Sequence, residues 1–250
     1  MKLTLSRRMA LLTAVLALLL VTGSTELGLR LSERARLDDL ESESVDLATT
    51  LAEDLSRIAP TVAQPAGYPA YGAPWQLMTR NLGAATGNAD RADALVEKVE
   101  ARFADIRKKH PEFEGVELAY AGVFGTGKPK YYVETNGSTR MRVLQDLGFV
   151  VPENLAKLGK DSYYHEISHE QIGLLEQGVV LWEPAVLELL PEVKKNPLYL
   201  KLNVSKEGRD IFMTDPDVAA AMAHSTVLSL PVVLDFLEPE LTRAVGKLTK

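Results

Sequence analysis

The 250-residue chain contains no cysteine, so disulfides and thiolate metal sites are excluded whatever the redox state of its compartment. It also lacks a concentrated basic surface: 28 Lys and Arg stand against 34 Asp and Glu, a formal charge of −6. Phosphate neutralisation needs clustered Lys and Arg, so nucleic acid is excluded as a partner class. The apolar run Met9 to Val21, broken only by Thr13, is 13 residues long, short of the roughly 20 that a permanent membrane helix requires. What is present, 46% hydrophobic and 25% charged residues, is ordinary globular composition for one large domain or two modest lobes.

The apolar run follows Lys2, Arg7 and Arg8 and precedes small residues, which is the layout of a signal peptide over residues 1–24. Ser6-Arg7-Arg8-Met9 also fits a twin-arginine signal loosely. Val21-Thr22-Gly23-Ser24 has the form of a lipoprotein box with Ser24 in the place of the lipidated Cys, and without a thiol no thioether to diacylglycerol forms. Val21 and Gly23 instead suit an ordinary signal-peptidase site. The expectation is an exported protein, in the periplasm or at the outer face of the cell membrane and peripheral to it.

Residues 25–59 are charged and Leu-rich, with Leu37, Leu40, Val45, Leu47, Leu51 and Leu55 at loosely helical spacing, and read as one or two amphipathic helices. Pro65, Gly67, Pro69, Gly72 and Pro74 forbid regular structure between Gln64 and Pro74. Trp75 opens a helix ending near Gly83. Ala92, Leu95, Val99, Phe103 and Ile106 recur every three or four residues, which predicts a helix over 90–110, roughly 30 Å long at 1.5 Å per residue. Beyond Gly115 the pattern is strand, helix, strand: 116–123, 140–147 and 178–181. That alternation predicts an α/β unit, a parallel sheet with covering helices.

Two motifs resemble catalytic signatures. Gly122-Val-Phe-Gly-Thr-Gly127-Lys128 fits the first seven positions of a phosphate-binding loop, but Pro129 stands where a magnesium-ligating hydroxyl belongs, and Lys-Tyr-Tyr-Val after it is β-like. It reads as a Gly-rich turn. His165-Glu166-Ile167-Ser168-His169 satisfies the zinc-hydrolase pattern H-E-x-x-H, with Glu188 or Glu192 downstream as a third ligand. Against it, Ser168 and Gln171 form a capping box, so a helix starts at Ser168 and leaves His165 in an extended segment with Tyr163 and Tyr164. The imidazoles then diverge, and no metal site is expected.

Several segments carry a likeness to a known family. Ala-Pro-Thr-Val at 59–62, Tyr-Gly-Ala-Pro-Trp-Gln at 71–76, Ala-Asp-Ala-Leu-Val-Glu-Lys-Val-Glu-Ala-Arg-Phe from Ala92 and Gln-Asp-Leu-Gly-Phe at 145–149 resemble actinobacterial ferric-siderophore-binding proteins. So do Glu-Ile-Ser-His-Glu at 166–170, Asn-Pro-Leu-Tyr at 196–199, Glu-Gly-Arg at 207–209 and Ser-Thr-Val-Leu-Ser-Leu-Pro at 225–231. The pieces occur in register from about Leu55 to Val245. The resemblance implies the bilobal class III periplasmic-binding-protein fold: two α/β lobes joined by a long helix, with little hinge motion and a ligand between them. The division expected is an N-terminal lobe remnant at 25–89, the inter-lobe helix at 90–110 and a C-terminal α/β lobe at 111–250.

The function so implied is an extracytoplasmic binding protein that delivers a ferric siderophore to an ABC transporter permease, with no catalysis and no cofactor of its own. Glu170 matches the C-lobe glutamate that docks on the permease; its plain alternative is an acid favoured by a helix N-terminus. Trp75, after the Gly/Pro-rich loop, is a candidate to stack on a ligand arm, or a core Trp. Tyr131, Tyr132 and Arg140 flank the loop after the first strand of the C-terminal lobe, and Arg140 is the candidate charge partner for an anionic chelate. Tyr164, Trp182 and Ser225 are further candidates from their places near strand ends. Only about 30 residues separate the signal peptide from Ala59, so the N-terminal lobe is expected to be incomplete, and its docking glutamate has no clear counterpart, Glu41 and Glu43 being the candidates. The alternatives are haem, cobalamin or another metal chelate as ligand, a zinc hydrolase built on His165 and His169, or a relative that has lost binding.

Overall fold

The computed structural model describes residues 62, 64, 65, 67, 68 and 72–248, apart from 126–128, 159–161 and 185–186, with backbone alone at 184 and 187. The signal peptide, the helices read over 25–59, Ala59-Pro60-Thr61, and Glu41 and Glu43 lie outside the described residues.

Helix α1 (Trp75–Ala85) starts directly after Pro74, and α2 (Ala89–Lys109) runs for 21 residues. Both occur where the apolar spacing places them. On α2 the buried residues are Ala92, Val96, Val99, Phe103 and Ile106, and Arg107, Lys108 and Lys109 close its last turn, where cations complement the helix dipole. Ala92 packs so closely on α1 that a Cβ at Gly83 would lie 2.3 Å from its own; a larger residue at Gly83 would push the two helices apart.

Strands β1 (Leu118–Phe124) and β2 (Lys130–Glu134) follow, then α3 (Thr139–Gln145), the short α4 (Glu153–Ala156), β3 (Tyr164–Ile167) and a 3-10 segment at His169–Leu175. Strand β4 (Val179–Pro184) leads through α5 (Leu190–Lys195) and α6 (Asn203–Lys206) to β5 (Asp210–Phe212), and α7 (Pro216–His224) and α8 (Leu230–Val245) complete the unit. The sheet has the order β3-β2-β1-β4-β5. β1 pairs in parallel with β4, and β4 with β5, but β1 with β2 and β2 with β3 are antiparallel. The sheet is therefore mixed, which corrects the expectation of a parallel one: β2 pairs antiparallel with β1, the next strand in the chain, and a hairpin needs no crossover helix.

Two apolar layers cover the sheet. On one side Leu118, Val179, Leu181 and Ile211 pack against α2, α3 and α8 through Phe103, Met141, Leu144, Leu234, Leu237 and Leu241. On the other, Ala119, Ala121, Val123, Tyr131, Val133, Val180 and Trp182 pack against Ile172, Val193, Tyr199 and Val204. This is the alternation that a sheet buried on both faces requires. Arg102 on α2 reaches Asp235 at 2.8 Å and Glu238 at 3.1 Å on α8, a clamp at the surface.

Candidate functional site

The two catalytic look-alikes resolve first. Gly122 lies inside β1, and the chain after the turn enters β2 rather than a helix, so the helix N-terminus that a phosphate-binding loop depends on does not follow it. His165 lies on β3, opposite Val133. Ser168 caps the 3-10 segment with Gln171, and His169, first in that segment, has its ring 5.8 Å from Tyr131. The five residues thus span a strand end and a cap rather than one helical turn. Among the described residues no group of three His, Cys, Asp or Glu is arranged to hold a metal.

The candidate ligand residues divide by strand alternation. Tyr131 points into the second apolar layer, where its hydroxyl receives a bond from the Asn196 side chain at 3.3 Å and its ring meets Trp182 edge-on. Trp182 is fully buried; its indole N–H donates to the Tyr199 hydroxyl at 2.9 Å, and that hydroxyl donates to Asp210 at 2.9 Å. Trp75 is buried in the first layer, stacked on Phe103 with centroids 6.3 Å apart. Ser225 ends α7 in the left-handed conformation, φ 44°, and donates its hydroxyl to the Met222 carbonyl. These four serve the core and a helix end: their polar atoms point inward and they present almost no surface. Glu170 is exposed in the first turn of the 3-10 segment.

Tyr132, Arg140 and Tyr164 come together at the carboxyl ends of β1 and β4, on the opposite face from Tyr131. Gly122 makes the place. A Cβ there would fall 1.9 Å from Tyr132 Cζ, so only glycine lets the Tyr132 ring lie over β1. Around it Phe124 and Tyr164 each approach with centroids 5.9 Å away, and Tyr163 extends the cluster, 5.1 Å from Tyr164. Ser138 caps α3 by accepting from the Arg140 and Met141 N–H groups at 3.1 and 3.2 Å. That cap fixes the backbone of Arg140 beside the sheet.

From there the guanidinium reaches inward. Arg140 Nη1 donates to Glu134 Oε1 at 2.8 Å, and Nε lies 3.2 Å from Glu183 Oε2, near enough for an ion pair but not aligned as a hydrogen bond. Tyr120, beneath, donates its hydroxyl to Glu183. Glu134 is 1% exposed and Glu183 4%. Burial raises the proton affinity of both carboxyls, and Arg140 pulls both the other way. Burial opposes the charge on Arg140, but Glu183, Tyr120 and Glu134 together more than offset it and hold the guanidinium protonated. Burial and then Glu183 push the Tyr120 and Tyr132 phenols up, so both stay neutral hydrogen-bond donors. Sequence reasoning found Arg140 but not its partners Tyr120, Glu134 and Glu183. The signal was there: Glu183 closes the apolar run Val179 to Trp182, and a carboxylate in a buried strand demands a partner.

A half-buried phenol, the outer edge of a guanidinium and three aromatic faces can grip a ligand by stacking and hydrogen bonding. Open α/β sheets present their ligand groups at the carboxyl ends of strands, as here. A family model described as "Periplasmic binding protein" matches residues 42–218. The chain belongs to that family. Among solved structures, the iron-uptake ABC transporter substrate-binding protein PiaA of Streptococcus pneumoniae is 28% identical, with 78% of this chain and 67% of that one covered and a TM-score of 0.63. A periplasmic solute-binding protein of Mycobacterium smegmatis is also 28% identical, with 80% and 66% covered and a TM-score of 0.65. A second PiaA structure, in complex with ferrichrome, is 26% identical, with 78% and 65% covered and a TM-score of 0.62. The chain thus spans about two thirds of the length of these relatives. No curated protein matches the sequence significantly.

Proposed function

We propose that this periplasmic binding protein captures a ferric siderophore outside the cytoplasm and presents it to the permease of an ABC importer. The observation that carries the proposal is the cluster of Tyr132, Arg140 and Tyr164 at the carboxyl ends of β1 and β4. It offers aromatic faces and fixed donors to a chelate, and it sits on a chain whose 26% identical relative was solved with ferrichrome bound. Binding rather than catalysis suits a site in which His165 and His169 are parted by a cap. Of the first candidates, Tyr132, Arg140 and Tyr164 are the ligand contacts in this reading, and Trp75, Tyr131, Trp182 and Ser225 support them from the core. Exposed Glu170 is the docking point for the permease. The export signal read over 1–24 supports a location outside the cytoplasm, and among the described residues no helix is long and apolar enough to cross a membrane.

Titration of the full chain with ferric hydroxamates and catecholates tests this, read by quenching of Trp75 and Trp182 emission through energy transfer to the ferric charge-transfer band. Saturable quenching at micromolar concentration or tighter, weakened at least tenfold by Tyr132→Ala, is expected. No response to any of these complexes, together with saturable binding of haem or cobalamin, would replace the siderophore by another chelate.

A further inference from the structure

Among the described residues the ligand face carries no excess of positive charge. Among the described residues Arg140 is the one cation in the polar cluster, and it is paired with Glu134 and Glu183, its side chain only 24% exposed. The neighbouring strand positions on the same face carry Lys130, whose Nζ lies 5.8 Å over the Phe124 ring, and Glu166, paired opposite Tyr132. Among the described residues of this face, therefore, two cations meet three carboxyl groups. If one buried carboxyl holds a proton the face is neutral; if neither does it carries one net negative charge. Neither state attracts an anion.

Ferric chelates differ in this respect by simple chemistry. Three hydroxamates surrender one proton each and cancel the ferric charge, whereas three catecholates surrender two each and leave a trianion. Arg140 retains an outer edge that can donate to an oxygen of a neutral complex, but drawing it wholly to a trianion would leave Glu134 and Glu183 buried without their partner, which is costly. Resting on the reading above, we infer that the ligand face selects by charge: electroneutral or cationic ferric complexes bind, and trianionic tris-catecholates are rejected through the carboxylates behind Arg140.

The test measures dissociation constants of the full chain for ferrichrome (neutral), ferrioxamine B (cationic through its pendant amine) and a ferric tris-catecholate, each across a range of ionic strength. The trianion is expected to bind on the order of a hundredfold more weakly than the neutral complex at low salt, because like charges a few ångströms apart repel strongly in a half-buried site. Its affinity should rise with salt as that repulsion is screened, while the neutral complex stays level. Glu183→Gln should narrow the ratio about tenfold, and the salt series on the unaltered protein carries the test if that variant does not fold. A tris-catecholate that binds as tightly as ferrichrome, or whose affinity falls with salt, overturns the charge inference alone. Failure of every ferric complex to bind overturns the proposed function and this inference with it.

Discussion

The two faces of the sheet are built from the same strands and solve opposite problems. On the face of Ala119, Ala121, Val133 and Trp182, every position is filled and the few polar atoms are paired internally, Trp182 to Tyr199 to Asp210. The other face begins the same way, with Leu118, Val179 and Leu181, but turns polar toward the carboxyl ends at Tyr120, Glu134 and Glu183. One face buys stability, and the other gives some of it up to hold a guanidinium and a phenol at the surface. The difference shows where binding chemistry enters this fold: at Glu183, after the apolar Val179 and Leu181 of β4, and at Tyr120 and Glu134 on the strands beside it.

Four experiments test this contrast. The largest effect belongs to the filled face: Trp182→Ala should cost about 4 kcal/mol of stability in equilibrium denaturation, because removing a large buried side chain leaves a cavity and takes away the indole donor to the Tyr199 hydroxyl. On the polar face Arg140→Met should cost about 3 kcal/mol at neutral pH by leaving two carboxylates unpaired in the interior, and less at acid pH, where those carboxylates take up protons. If the loss were the same at both pH values, the ion pairs would not be its cause.

Gly122→Ala should come next, at about 2 kcal/mol for the clash with Tyr132, and should abolish ligand binding by displacing that ring. Adding Tyr132→Ala should restore the stability but not the binding. The smallest effect is expected from Glu183→Gln, within about 1 kcal/mol at neutral pH, since the amide still accepts the Tyr120 hydroxyl. Its sign with pH is diagnostic. Burial raises the Glu183 proton affinity in the folded state above the ordinary value of 4.5. The folded form thus holds the proton more tightly than the unfolded one, and the stability this gives is complete below that ordinary value and lost as pH rises through the folded value. Urea midpoints between about pH 4 and pH 7 should fall less for the Gln variant than for the unaltered protein.

Much of this was legible in the sequence wherever a local rule decides. The period of Ala92, Val99, Phe103 and Ile106 located α2, and Ser168 with Gln171 located the cap that parts His165 from His169. The apolar runs near Val116 and Gly178 located two strands that do pair in parallel. What the sequence obscured was pairing and facing. Tyr131 and Tyr132 are adjacent, so a strand must send them to opposite faces, and only the pairing of β2 with β1 and β3 decides which of the two lies beside the polar cluster. Likewise the sequence offers Arg140 as the charge partner of an anionic chelate. Its partners lie six residues upstream and on a strand far along the chain, and no local rule joins the three.

The mixed pairing of the sheet also bears on how the molecule assembles in time. Glu134 and Arg140 are six residues apart, and β1 and β2 form a hairpin, whereas Glu183 meets Tyr120 across 63 residues and arrives on the parallel strand β4. Short loops close before long ones. The hairpin half, with Arg140 already tied to Glu134, is therefore expected to form first, and the docking of β4 to close the cluster late. On that order, substitutions at Glu134 slow refolding, while those at Glu183 chiefly hasten unfolding.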